Sequence, residues 1–289
     1  MRGRGEGVVE RFRRNRPAVG GLALILALAL FGLVVPMVST HDPWTSDFAR
    51  GVAPSGGPVG PGPGFWLGAD RIFRDELVRL AYGARLSLFI AISATALSSL
   101  VGGFVGVVAG YFGGRTDVFL MRLVDVGLAF PFLLLVMAIG AAVGQTTPTT
   151  ILLVLGLTGW LGSARIVRAR TMVVREADFI TASRALGQTT PRILLSHVLP
   201  NVAGPIIVLG TLSVAQMIVA ESVLSYLGAG VAPPTPTWGH MLFEGQDVVM
   251  LAPWLLVAPA SAILVAALGF NLVGEGLRDA LDPRQPEAR

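Results

Sequence analysis

The 289-residue chain is 53% hydrophobic and only 14% charged, where an average soluble domain is roughly 25% charged. All 22 Lys/Arg positions are arginine, so a net charge of +4 is reached without one lysine. These numbers favour a membrane protein and exclude a lysine-dependent phosphate loop, Schiff-base catalysis and Ser-x-x-Lys acylation, so any ATP that drives the chain must be hydrolysed by another subunit.

Cysteine is absent, which removes disulfides, thiolate metal sites and thioester intermediates. His41, His197 and His240 are far apart and form no His-x-x-x-His pair, so no metal site is expected. The basic balance would suggest nucleic acid in a soluble protein. Here the arginines flank apolar runs, and membrane orientation explains them without nucleic acid.

In chain order, the first apolar run is Gly20 to Val38, with eleven Leu, Ile, Val or Phe residues and no charge. Its insertion is favourable by roughly 3 to 7 kcal/mol. Six arginines precede it, which also resembles the start of a secretory signal, but Met37-Val38-Ser39 is a poor cleavage site. An uncleaved first span is expected. Five more follow, at about Leu86 to Tyr111, Val124 to Val143, Thr149 to Ile166, Val202 to Tyr226 and Leu251 to Val273. With the N-terminus inside, 17 arginines fall on the cytoplasmic side and 5 on the other, which predicts both termini inside.

Between the first two spans, ten of the fourteen residues from Gly51 to Gly64 are Gly or Pro, a composition that predicts a tether. From Arg71 to Arg85, Phe73, Leu77, Leu80 and Ala84 fall at helical spacing, and Asp75 precedes Arg79 by four. The pattern predicts an amphipathic interfacial helix. In the second span Ala94, Ser98, Gly102, Gly106 and Gly110 recur every four residues, a small-residue stripe that predicts close helix packing. Arg122 and Asp125 open the third span three residues apart, the spacing of a local ion pair.

The longest cytoplasmic connection, 165–200, is not linker-like. Glu176 to Leu186 lacks Pro and Gly, Gly187 can end a helix, and Pro191 can open another. Spacing alone fits equally a projection inserted into a partner's groove and a surface loop whose arginines meet lipid headgroups. Glu221, toward the outer end of the fifth span, is open to a role in the substrate path or in an internal hydrogen bond. The Pro-rich stretch before Trp238 fits a rigid outer loop that caps the path, and Trp238 fits an interfacial aromatic belt as well.

These residues carry a resemblance. Thr181-Ala182-Ser183, Gly187 and Leu199-Pro200 occupy the positions of a Glu-Ala-Ala, three residues, Gly, Leu-Pro signature, with Thr181 in place of the glutamate and Ser183 in place of the second alanine. YFGGRTDVFLMRLVDVGLAFP from Tyr111, ESVLSYLGAGVAPPTPTWGHML from Glu221 and GEGLRDALDPR from Gly274 are similar to the same group. The chain resembles the C-type permease subunits of dipeptide, oligopeptide and nickel ABC importers along nearly its whole length after Leu67. One departure is LGADRIFRDE from Leu67, where Phe73 stands at a position usually held by glycine. A turn there is disfavoured, and a continuous helix fits instead.

The resemblance implies an all-α membrane protein, a six-transmembrane-helix bundle of the type I importer permease kind. It divides into 1–85 (N-terminal arm, first span, outer loop, amphipathic helix) and a core of 86–289 with the coupling segment 165–200. It implies coupling to an ATPase through Glu176, Thr181, Ala182, Ser183, Gly187, Leu199 and Pro200, with Glu221 as a candidate in the path. It further implies a second, B-type permease subunit, two cytoplasmic ABC ATPases carrying ATP and Mg, and an extracytoplasmic binding protein, in a bacterial or archaeal cell (inner) membrane. No catalytic, cofactor or metal site is expected on this chain. A secondary transporter would need midplane ion sites, broken helices or repeats, and no convincing repeat is found. An intramembrane enzyme would need a nucleophile motif that is absent.

Overall fold

The computed structural model describes residues 7–144 and 146–281. The expected cytoplasmic positions Arg2, Arg4, Arg284 and Arg289 lie outside the described residues. Twelve α-helices are described: α1 (Val8–Arg14), α2 (Arg16–Val38), α3 (Glu76–Phe112), α4 (Gly114–Leu128), α5 (Phe132–Val143), α6 (Pro148–Thr158), α7 (Trp160–Arg175), α8 (Asp178–Ala185), α9 (Thr190–Ile193), α10 (Leu199–Tyr226), α11 (Trp238–Gly245) and α12 (Trp254–Leu281). Five helical stretches are long and apolar enough to cross a membrane: α2, α3, α6 with α7, α9 through α10, and α12.

The expected third span, Val124 to Val143, is not one helix. α4 and α5 meet at 86°, because Pro131 disfavours helical backbone at Phe130 and offers no N–H of its own. The pair is a broken span or a re-entrant segment.

α3 is the axis of the bundle. Its 37 residues extend about 55 Å at 1.5 Å per residue, further than the hydrocarbon thickness. Its small-residue stripe does what the spacing predicts. A Cβ on Gly106 would lie 2.7 Å from the Ala164 carbonyl oxygen, and one on Gly110 would lie 2.6 Å from that of Arg168. Only glycine lets the α7 backbone come this close, and the resulting van der Waals contact holds helices together in lipid. The main core gathers Ile90, Ala91 and Ala94 of α3, Ile151 and Leu155 of α6, and Ile218 and Leu224 of α10.

Two expectations about the segment before α3 are corrected. The Gly/Pro stretch is a folded loop rather than a tether: Val59 N–H donates to Gly51 O (2.8 Å), Ala53 N–H to Gly57 O (2.8 Å) and Ala69 N–H to Val59 O (2.9 Å). Paired backbone groups replace the side chains it lacks. The amphipathic helix does not begin at Arg71 either. α3 starts at Glu76, capped by the Asp75 carboxylate, which accepts from Val78 N–H at 3.0 Å. Before it lies a tight turn in which Phe73 adopts φ 66°, a conformation costing a non-glycine residue roughly 1–2 kcal/mol. Asp70 enforces it. Its carboxylate accepts from Ile72 N–H and Arg74 N–H, both at 2.9 Å, and its carbonyl accepts from Phe73 N–H. The Phe73 ring meets Phe48 edge-on, 5.4 Å between centroids.

Candidate coupling and translocation sites

α8 is held at one end of the bundle. Ile180 is fully buried with Tyr111, at the end of α3, and with Ile193 and Val198. The Ser183 hydroxyl donates to Phe179 O at 2.7 Å. Arg175 donates to Tyr111 O at 3.1 Å, and the Arg184 guanidinium stands over the Tyr111 ring. The opposite face of α8 is bare. Thr181 and Ala182 are exposed, Phe179 is 45% exposed and Leu186 is 81% exposed. Glu176, just before α8, is exposed and paired with Arg175 at 2.9 Å.

Gly187 ends α8 with φ 73°. Gln188 N–H donates to Ser183 O (3.1 Å) and Gly187 N–H to Arg184 O (3.0 Å), the reciprocal pair that closes a helix on a left-handed residue. α9 then follows, joined to α10 by one π-helical turn, Leu194–Val198. This wider turn lies next to Pro200, whose ring would clash with the carbonyl four residues back in a regular helix. Leu199 and Pro200 are exposed at the start of α10. Of the expected coupling residues, Ser183 is buried, while Glu176, Thr181, Ala182, Gly187, Leu199 and Pro200 are at the surface. Asp125 pairs with Arg165 of α7 at 2.5 Å rather than with Arg122, a correction that ties α4 to α7 instead of bracing one helix.

The other end of the bundle is closed by α11. Trp238 is fully buried, with its Nε1–H donating to Leu80 O at 3.2 Å, so it is a wedge and not part of an aromatic belt. Its backbone N–H donates to the Ser87 hydroxyl (3.3 Å), which donates to Glu221 (3.2 Å). The Ser225 hydroxyl donates to the second Glu221 oxygen at 2.8 Å and accepts from Thr237 at 3.3 Å. Glu221 is thus fully buried among groups of its own chain, an acceptor that staples α11 to α3 and α10.

A charge cluster beside it was not legible in the sequence. Arg74 donates to Asp70 (2.6 Å) and Glu244 (2.8 Å); Arg79 donates to the other Glu244 oxygen at 2.5 Å and lies 3.3 Å from Asp70. Asp75 pairs with His41 at 2.6 Å, not with Arg79 as its spacing suggested. Burial opposes the Glu244 charge, but His240 and the Arg79 and Arg74 guanidiniums outweigh it and hold the carboxyl down at about 2.

Between α4–α5, α7, α10 and α12 lies a cavity of about 580 Å³ lined by Phe130, Thr158, Gln216 and Asn271 among apolar residues. Gln216 and Asn271 lie in the apolar spans α10 and α12 and are exposed. Exposed amides are costly against lipid tails, so this face is turned toward protein or water. Two amides inside apolar runs were a signal the sequence did carry.

The family model described as "Binding-protein-dependent transport system inner membrane component" matches residues 102–285. The chain belongs to that family. A second model, "N-terminal TM domain of oligopeptide transport permease C", matches residues 5–54. The chain is 39% identical over 274 residues to the oligopeptide transport system permease protein OppC of Bacillus subtilis (strain 168), covering 95% of this chain and 88% of that protein. It is 37% identical over 275 residues to the dipeptide transport system permease protein DppC of the same organism, with 95% and 84% covered. It is 39% identical over 281 residues to the di/tripeptide transport system permease protein DppC of Pseudomonas aeruginosa (strain UCBPP-PA14), with 96% and 92% covered. The two family models cover the α1–α2 arm and the chain from the last part of α3 to the end of α12, and the alignments to these relatives cover 95–96% of the chain.

Proposed function

We propose that the chain is the C-type permease subunit of an ATP-driven importer of di- or oligopeptides, with both termini and α8 in the cytoplasm. The observation that carries this reading is α8 itself: one face anchored through Ile180 to Tyr111 of α3 and to Ile193 and Val198 at the α9–α10 junction, the other bare. A short helix held this way passes a push at its exposed face into the spanning helices. α8 docks into a cytoplasmic ABC ATPase, which binds ATP and Mg, and two such ATPases serve this chain and a second, B-type permease. The cavity beside Gln216 and Asn271 faces that second permease and forms half of the path. The α11 end receives the external binding protein. The peptide cargo rests on the relatives' transport systems. Glu221 acts on the path indirectly, by holding α11 in place.

The chain has no cysteine, so Ala182→Cys introduces a single thiol. It should crosslink to a cysteine in the ATPase cleft, and more strongly in one nucleotide state than in another. Gly187→Val forces a β-branched side chain onto a left-handed backbone and should abolish uptake while leaving membrane insertion intact. Normal uptake by the Gly187→Val protein, or no crosslink in any nucleotide state, would overturn the assignment.

A further inference from the structure

A second cavity, also of about 580 Å³, lies between α2 and α3 and shares no lining residue with the first. Its walls are apolar: Ile25 and Leu33 of α2 face Phe89 and Ile92 of α3. Leu33, Phe89 and Ile92 are 51%, 57% and 46% exposed, so the groove opens at the side of the bundle, along two apolar helices. At its α11 end stand Trp44, Tyr82 and Arg85. Arg85 is the last charge before the uncharged stretch from Leu86 to Phe112, which places its guanidinium at the membrane–water boundary. Trp and Tyr favour that same depth.

Arg85 is built into this mouth. Its stem packs on Gly32 of α2, where an added Cβ would meet Arg85 Cγ at 3.1 Å. Its guanidinium lies 5.8 Å from the Tyr82 ring centroid, and Tyr82 in turn leans on Trp44, 5.9 Å between centroids. No carboxylate pairs with Arg85 among the described residues, whereas Arg74 and Arg79, earlier in the chain, are both paired with Asp70 and Glu244. The groove therefore offers one cation with free donors at one end and only hydrocarbon beyond it.

We propose that this groove binds a membrane phospholipid, its phosphate on the Arg85 guanidinium and an acyl chain along Leu33, Phe89 and Ile92. The charge distribution matches a phosphate head on a hydrocarbon tail. Arginine presents paired N–H donors suited to phosphate oxygens, and the long stem lets the head of the side chain stay at the interface. A bound lipid would fill the seam between α2 and the rest of the bundle.

The test uses the assembled importer in phosphatidylcholine nanodiscs doped with phosphatidylglycerol that carries a photoreactive acyl chain. Adducts should map to residues 25–33 and 86–92. Arg85→Gln should reduce them about tenfold, the worth of one charge-assisted contact, with adducts on α4 and α5 unchanged. Arg85→Lys, which keeps the charge, should retain about half of the labelling and control for misfolding. Equal labelling in wild type and Arg85→Gln overturns the proposal. Loss of labelling on adding millimolar inorganic phosphate also overturns it, by assigning Arg85 to a free anion. A benzophenone amino acid in place of Phe89 that crosslinks to another subunit would show the groove to be covered by protein, and would equally overturn it.

Discussion

The two ends of α3 handle arginine in opposite ways. At the α11 end, Arg74 and Arg79 are 3% and 0% exposed and share Glu244 and Asp70. At the α8 end, Arg175 pairs with an exposed Glu176 and Arg184 stacks on Tyr111. One end is locked and the other is presented. A buried charge that loses its partner is strongly destabilising, while a surface pair is worth little. Mutations at the first end should therefore act on stability, and those at the second on coupling.

The sharpest way to break this contrast is Glu244→Ala, which leaves two buried guanidiniums short of an acceptor. It should cost about 3–5 kcal/mol, read as a fall in thermal unfolding temperature of the detergent-solubilised protein. Glu176→Ala should leave that temperature unchanged, and equal losses would erase the distinction. Acid titration probes the same lock. Because the folded Glu244 carboxyl is held from 4.5 down to about 2, its contribution to stability is complete above the usual carboxylate value. That contribution is lost as pH falls through the interval toward 2. Melting curves from pH 6 to 3 should show this loss in the wild type and a smaller one in Glu244→Gln.

A seam between the two ends gives a smaller effect. Gly106→Leu drives a side chain into the Ala164 carbonyl and should destabilise by about 1–3 kcal/mol, seen as a lower unfolding temperature. Gly162→Ala, which meets nothing within 4 Å, should leave it unchanged. The smallest effect is expected from Glu221→Gln. Its carboxamide oxygen still accepts from a serine hydroxyl, so the cost should stay near 1 kcal/mol and uptake should persist. Loss of uptake at unchanged stability would return Glu221 to the substrate path.

Sequence patterns were reliable where the interaction is periodic along one helix. The Ala94-to-Gly110 stripe predicted close packing, and the glycines at 106 and 110 now touch the α7 backbone. Gly187 announced the end of α8 because a left-handed residue is a local requirement. Charge pairing was not legible in the same way. Asp75 stood four residues before Arg79 and Arg122 three before Asp125, yet both acids chose distant partners, His41 and Arg165. Spacing along a helix permits a pair, but a partner from another element wins when the fold brings it closer.

By itself, the sequence determined that this chain lives in a membrane, that it cannot hydrolyse ATP through a lysine-bearing phosphate loop, and where α8 must end. Those conclusions follow from composition, from missing side-chain chemistry and from one residue's backbone freedom, none of which needs a neighbour. Tertiary structure alone decided that the glycine-rich loop folds, that Phe73 accepts a left-handed turn, that Trp238 is buried and that Arg74 and Arg79 share Glu244. Each depends on groups many residues away, whose proximity is fixed only when the helices pack.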